Sequence, residues 1–507
     1  MNFAFIGGVT HYHGMLDSLE HLNRGSVQHQ GSYALGLAQY FGNLSEPPVS
    51  GGDAVYFNLL GSMMVRYGAG MVWPLSLLVL LAWPLIWFKL RGKELVSPGK
   101  TVKGFMAGVL IWLSVPIVAI LSWMILSKVH SQYHQMIMHP YNSNTYLLAF
   151  CLLGLVLAGT IIRFSAKRLG IWNLALGALI LPLVLLLVMS VLLPNGSWVL
   201  MWPLLLALAT CGLQAWPTTK PALRLVMAFS GVFAIFMITP LAYHVYISFP
   251  MGLMGASLAM FAMLIIFLVP QLWAIFEQAG RMLPTALLVV VLGLFIFVAT
   301  RANFSEERPE PSSIFYGLNM DTGEAVLASI NPVLSKTSQQ YLGEKPERGS
   351  LAQFVLRETP IFHVSVPAVD LEGPVIEQVS QTIEGDTLIL ELTVHIPREA
   401  WGFRMRATAA NGIAEVQFNG MPAKTTKQGL YLFYRGETRS SFHFRFVIAK
   451  DDSLMINLLD ESSSLPKLPG IPESIPATSI PSPFAGLCSS NRYTTHLHRS
   501  FTFNAQD

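Results

Sequence analysis

Tyr12-His13-Gly14-Met15-Leu16-Asp17 is the string in this sequence best placed to do chemistry. It follows an apolar, strand-like run from Phe3 to Ile6 and precedes a helix-forming stretch that opens near Ser26. An imidazole just beyond a buried strand suits metal ligation, because the strand fixes the backbone while the loop turns the ring toward a cleft. Spacing alone is met equally well by a surface or capping histidine, so the residue types leave both roles open. A second set lies at His130 and His134, one helical turn apart, with Met136, Met138 and His139 close by. Such side chains suit zinc or copper, but no carboxylate or cysteine accompanies them, and the plainer reading is a loop at a membrane boundary.

The helix that positions the first string is expected to take Ser26 as its N-cap and to gather Ala34, Leu37, Ala38 and Phe41 on one face. Beyond it the chain changes character. Of 507 residues 52% are hydrophobic and 12% charged, more apolar content than one soluble core of this length needs. The surplus falls into runs of roughly twenty residues, each long enough to cross a bilayer. Spans are expected at about Met71 to Leu90, Gly104 to Leu126, Thr145 to Ile162, Ile171 to Leu193, Trp198 to Trp216, Leu225 to Ile247, Met251 to Trp273 and Leu283 to Thr300. This is a mainly α-helical, polytopic membrane bundle of about eight helices, with the lipid bilayer as its first partner. Prolines inside the runs, among them Pro84, Pro116, Pro240 and Pro270, predict kinks.

Orientation follows from the short loops. Lys89, Arg91, Lys93, Lys100, Lys103, Arg163, Lys167, Arg168, Lys220, Arg224 and Arg281 fall on one side, and Lys128 alone on the other. The basic side is cytoplasmic by the positive-inside rule, which puts both flanks, residues 1–70 and 301–507, outside the cytoplasm. A net charge of +3, with no basic run interleaved with aromatics, excludes a nucleic-acid partner. Cys151 and Cys211 lie in apolar runs and Cys488 stands alone, so no disulfide framework is readable. The bundle carries almost no ionisable groups at depth, which argues against ion or proton translocation.

After Arg301 the hydrophobic period becomes two. Leu388, Leu390, Leu392, Val394 and Ile396 alternate with Ile389, Glu391, Thr393 and His395, as Phe442, Phe444 and Phe446 do with His443 and Arg445. Phe403, Met405 and Ala407 alternate with Arg404 and Arg406, which are expected on a solvated sheet face. Asn419-Gly420 offers a hairpin turn, residues 465–483 are proline-rich and extended, and a last strand is expected from Tyr493 to Phe503. Short strands at this spacing predict an all-β, sandwich-like domain.

The string from Tyr12 to Asp17, followed by Leu22 to Leu44, resembles the C-terminal end of the di-zinc exopeptidases that include endoplasmic-reticulum metallopeptidases, vacuolar membrane proteases and secreted bacterial aminopeptidases. The pattern there is Tyr-His-Thr-x-x-Asp, then a glycine-serine step into the final helix. The resemblance implies that His13 is the last zinc ligand, that Gly14 replaces a hydroxyl-bearing Thr, and that Tyr12 is structural. Asp17 matches the acidic position, and its place three residues before Glu20 favours a helix-capping role. Residues 1–50 then form the last strand, loop and helix of an α/β zinc exopeptidase domain, 51–70 a linker, 71–300 the eight-helix membrane domain and 301–507 the extracytoplasmic β domain.

Two zinc ions and a peptide substrate are implied for such a protein, with a glutamate as general base. The family's His-x-Asp pair, bridging Asp and tandem Glu all precede the matched segment, so Met1 is expected to be an internal methionine preceded by an anchor and most of a soluble domain. One imidazole does not hold a catalytic zinc, so the 507 residues alone are expected to be inactive. The rival expectation is a non-enzymatic membrane scaffold or carrier that retains a peptidase remnant.

Overall fold

The computed structural model describes the chain apart from residues 1–5, 9, 12–15, 47–50, 60–62, 137, 218, 356–357, 359, 437–440, 473–475, 477, 482–492 and 506–507. It divides into two compact units, the first mainly Asn23–Ser131 and Met138–Ala302, the second mainly Asn303–Asp507.

In the first unit, helix α1 (Arg24–Gly42) is followed by strands β1 (Ala54–Leu59) and β2 (Met63–Gly68). Ten helices follow: α2 (Val72–Gly92), α3 (Pro98–Val129), α4 (Ser143–Leu169), α5 (Ile171–Ala178), α6 (Ile180–Leu192), α7 (Trp198–Ala215), α8 (Lys220–Ser248), α9 (Gly255–Phe267), α10 (Val269–Ala279) and α11 (Met282–Thr300). Among the described residues seven helical stretches are long and apolar enough to cross a membrane, α5 and α6 together making one of them. The expected span from Met251 to Trp273 is not one straight helix: α9, with the 3-10 turn before it, meets α10 at 78° across Leu268. Pro270, in the first turn of α10, brings no amide hydrogen to bond the end of α9 and so favours the break there. Pro84, Pro116, Pro203 and Pro240, by contrast, lie within continuous helices.

Small residues and a few polar side chains hold this unit together. Gly104 and Gly108 of α3 meet the backbone of α5 at Asn173 and Ala178, and Gly177 meets Thr101, so closely that a Cβ at any of them would overlap its neighbour. Asn173 knots the same corner. Its Oδ1 accepts from Ser97 N (2.9 Å) and Thr101 Oγ1 (3.2 Å), and its Nδ2 donates to Leu95 O (3.2 Å) and Leu169 O (2.8 Å). All its hydrogen-bonding capacity is thus used where water is scarce. The Ser76 and Ser190 hydroxyls pair at 2.8 Å, and Glu277 of α10 reaches Arg163 and Lys167 of α4 at 3.6 and 3.4 Å. Leu77, Leu81, Phe88, Ile125, Val289 and Ile296 are among many large apolar side chains left exposed on the helices, a surface compatible with lipid.

The segment expected as a linker, 51–70, contains the antiparallel β1–β2 hairpin. α1 is capped by Asn23 rather than Ser26: the Asn23 side chain accepts from the Ser26 amide at 2.9 Å, satisfying one of the free N–H groups of the first turn. None of its residues is buried, so the face of Ala34, Leu37, Ala38 and Phe41 is uncovered among the described residues.

The second unit contains β3 (Glu310–Ser312), β4 (Phe315–Asn319), β5 (Ala325–Ser329), α12 (Lys336–Leu342), β6 (Glu347–Gly349), α13 (Ala352–Val355) and β7 (Ile361–Val366). It continues through β8 (Val375–Glu384), β9 (Thr387–His395), β10 (Ala400–Thr408), β11 (Ile413–Phe418), β12 (Met421–Pro422), β13 (Leu430–Arg435), β14 (Phe442–Ala449), β15 (Leu454–Ser463), β16 (Ser479–Pro481) and β17 (Thr494–Phe503). An eight-stranded sheet runs β13-β10-β15-β17-β4-β5-β7-β6 and a five-stranded sheet β12-β11-β14-β9-β8. The alternation read in the sequence sends Leu390 and Phe446 of the smaller sheet and Phe403, Met405 and Leu458 of the larger into one apolar core. Asn419 and Gly420, both at positive φ (48° and 77°), join β11 to β12 in a two-residue turn, for which Asn-Gly is the preferred pair. β17 pairs antiparallel with β15 and parallel with β4, which ties the end of the chain to the first long strand of this unit.

Candidate functional site

His13, expected as a zinc ligand, and its neighbour Tyr12 lie outside the described residues. Asp17 is exposed and caps no helix, because α1 begins only at Arg24 with Asn23 as its cap. The turn that follows Asp17 is closed instead by Ser18, whose carbonyl accepts from the His21 amide (3.1 Å) and whose hydroxyl meets His21 Nδ1 (3.0 Å). The capping role expected of Asp17 is therefore corrected. It had rested on spacing to Glu20, and Glu20 belongs to this turn. The His11 and His21 rings lie 4.7 Å apart between centroids, and burial followed by repulsion from His21 lowers the pKa of His11.

His130 ends α3, its amide donating to Leu126 O at 2.9 Å, whereas His134 is an exposed member of a short 3-10 turn, Ser131–Gln135. His139 is buried edge-on against Tyr246, 4.7 Å between ring centroids. Among the described residues no group of three or more His, Cys, Asp or Glu side chains is disposed to hold a metal ion. A zinc centre needs three or four converging ligands, and no such set is found among the described residues.

The principal polar constellation of the second unit lies elsewhere, around residues that periodicity assigned to a solvated face. Arg406 is exposed as expected, but Arg404 is only 2% exposed and ion-pairs with Glu461, itself fully buried. β10 is an interior strand between β13 and β15, and the face that carries Arg404 is covered: Leu459, paired with Arg404, lies in a buried cluster with Phe354. Alternation tells which residues share a face of β10. It does not tell that both faces are covered.

On β15 the two consecutive carboxylates point to opposite faces of the sheet, and both are buried. Asp460 pairs with Arg398, which precedes β10, and Glu461 pairs with Arg404. Burial pushes Glu461 up to about 7, against the pull of Arg404 and Arg435, and pushes Asp460 up to about 6 against Arg398. Directly across from Glu461 on β17 is His496. Its Nδ1 lies 3.2 Å from Phe354 O, which can only accept, so the proton is on Nδ1 and Nε2 accepts from the Thr494 hydroxyl at 3.0 Å. The imidazole stacks on Phe315 at 4.8 Å and 18°. Burial, reinforced by Arg404 and Arg398, holds its pKa down to about 3.

A hydroxyl bonded to an imidazole across from a carboxylate has the form of a nucleophile, base and partner. Thr494 and His496 are each 1% exposed, however, and no substrate carbonyl can reach the hydroxyl. An imidazole with so low a pKa is also a poor base at neutral pH. This constellation is the polar interior of the sheet rather than a catalytic centre. The sequence signal that could have exposed it is the pair Asp460-Glu461 directly after the apolar Leu458-Leu459 in the strand Leu454–Ser463, where a regular alternation would have placed only one of them in solvent.

No family model, no curated protein and no solved structure matches the chain.

Proposed function

We propose that these 507 residues serve as the membrane-embedded and extracytoplasmic platform of an exopeptidase-type protein, rather than as a peptidase in their own right. The observation that carries the reading is the string Tyr12-His13-Gly14-Met15-Leu16-Asp17 leading into a helix that opens Arg24-Gly25-Ser26, ahead of a bundle of apolar helices. In this reading His13 is one zinc ligand among several, and the loops bearing Lys89, Arg163, Arg224 and Arg281 face the cytoplasm. Both flanks then lie on the opposite side, the two-sheet domain and a peptide-cleaving domain sharing that compartment.

The test has two parts. The purified chain in detergent is expected to bind less than stoichiometric zinc by elemental analysis and to release no fluorophore from aminoacyl substrates; stoichiometric zinc together with zinc-dependent hydrolysis would overturn the inactivity. In a polypeptide that also carries His-x-Asp and Glu-Glu motifs in frame ahead of the string, His13→Ala is expected to lower zinc content and activity together. Unchanged zinc content there excludes the ligand role and leaves the non-enzymatic scaffold as the better reading.

A further inference from the structure

We propose that the outer face of the β1–β2 hairpin is a lipid-contact surface, with Tyr56, Met64 and Arg66 lying in the headgroup and glycerol layer of the bilayer that α2 and α7 enter. The proposal rests on the membrane reading of the apolar helices and on nothing in the exopeptidase resemblance.

The hairpin has two unlike faces. The inner one carries Val55 and Phe57, both buried, opposite Tyr67 and Val65. The outer one carries Tyr56 opposite Arg66 and Asn58 opposite Met64. Tyr56 is 65% and Met64 63% exposed, so large apolar side chains point away from the protein on the face that solvent would ordinarily make polar.

The depth of the hairpin is fixed by what its inner face touches. Phe57 stacks on Trp198 at 4.7 Å and 15°, and Tyr67 meets Trp202 edge-on at 6.2 Å. Trp198 is the first residue of α7, and Trp202 lies on the same face one turn, about 5.4 Å, farther in. The hairpin therefore lies alongside the first turns of a span and not above its end. The chain gives a second fix: β2 ends at Gly68 and the α2 span begins at Ala69, whose amide donates to Asp53 O at 3.0 Å and closes the base of the hairpin. Two spans thus enter the membrane at the level of this hairpin, and its outer face looks outward at that level.

The chemistry of that face fits this occupant. Tyrosine and tryptophan concentrate at the membrane interface because the ring is apolar and its tip is wet, and Arg66 can lay its stem along the Tyr56 ring with the guanidinium among phosphates. Backbone groups on the free strand edges are tolerable in the hydrated headgroup layer but not in the hydrocarbon. A soluble partner would gain the same apolar area, but nothing in the hairpin's attachment to two spans would lift its outer face into water to meet one.

The test uses the full chain with Cys151, Cys211 and Cys488 replaced by alanine, reconstituted into phosphatidylcholine and phosphatidylglycerol nanodiscs. Single cysteines at Tyr56→Cys, Asn58→Cys and Met64→Cys, with Lys427→Cys as a solvent-exposed reference, carry an environment-sensitive fluorophore. Phosphatidylcholine bearing a nitroxide near the glycerol is expected to quench the hairpin labels at least about two-fold more than the reference, and aqueous iodide correspondingly less, as for an interfacial position. A nitroxide at the acyl terminus is expected to quench them weakly. Iodide quenching equal to the reference overturns the proposal in favour of water. Shielding from both quenchers overturns it in favour of a protein partner, and strongest quenching by the acyl-terminal nitroxide in favour of hydrocarbon burial.

Discussion

Replacing Arg404 by methionine isolates the buried charge pair of the larger sheet. Methionine keeps much of the volume and the contact with Phe433, over which the guanidinium now lies at 5.5 Å, but leaves Glu461 without its arginine partner. Removing one member of a buried pair costs about 3–5 kcal/mol, because the remaining charge stays desolvated. The two units need not unfold together, so a single global transition is a poor measure. Amide hydrogen exchange in β10, β15 and β17, followed by mass spectrometry on the full chain in detergent, reads the loss locally. The expected acceleration is about two to nearly four powers of ten at pH ~8, one power for each 1.4 kcal/mol.

The pH dependence of the parent protein has a defined sign. Glu461 has an ordinary value of 4.5 and stands near 7 in the fold, so between those values the folded chain holds a proton that the unfolded chain has released. Stability through this group is highest below 4.5 and declines as pH rises through 7. His496 acts in the opposite sense below its ordinary 6.5, since the unfolded chain takes up a proton that the buried ring refuses. Above about pH 6.5 the contribution of His496 is level and that of Glu461 is isolated. There the Arg404→Met penalty should grow with pH, while Glu461→Gln should flatten the profile. The double variant Arg404→Met/Glu461→Leu should recover most of the loss, because two apolar side chains replace two desolvated charges. Exchange in Arg404→Met within about three-fold of the parent at pH ~8, or a double variant no better than the single, would refute the reasoning.

Three further outcomes follow from particular contacts. Asn173→Ala removes four hydrogen bonds at the corner of α3, α4 and α5 and is expected to destabilise the helical unit by about 1–2 kcal/mol, seen as a lower midpoint by scanning fluorimetry in detergent. Gly177→Leu must force α5 away from Thr101 and Gly104 and should be more damaging than Asn173→Ala, giving aggregated rather than monodisperse protein on size exclusion. Gly420→Ala places a Cβ at φ +77° and should cost about 1 kcal/mol, detected as faster exchange confined to β11, β12 and β14.

Local rules made much of this architecture legible. Apolar runs of membrane-spanning length located the helices, with ends off by as much as seven residues and one run broken in two, since length and hydrophobicity are properties of consecutive residues. Strict alternation in Leu388–Ile396 and Phe442–Phe446, and the Asn419-Gly420 pair, likewise located strands and a turn. Cap identity was less legible: Ser26 and Asn23 are both good caps, and only the path of the chain into α1 made Asn23 the acceptor. The β1–β2 hairpin was missed although Gly61-Ser62 is a turn signal, because Ala54–Leu59 and Met63–Gly68 show no clean apolar–polar alternation and its inner face packs on Trp198 and Trp202, more than a hundred positions away.

The candidate site divides along the same line. The sequence by itself determined the apolar runs long enough to cross a membrane and the period of the strands, because each depends on residues adjacent in the chain or at one fixed spacing. Only the tertiary structure decided that the span at Leu268 breaks, that Asp17 lies away from any helix cap, and that Arg404, Glu461 and His496 are interior. Burial of a strand face depends on what covers it. On the Arg404 side of the larger sheet the cover includes the element bearing Phe354, which shares a buried cluster with Leu459, the residue paired with Arg404, and no pattern within Ala400–Thr408 encodes its arrival.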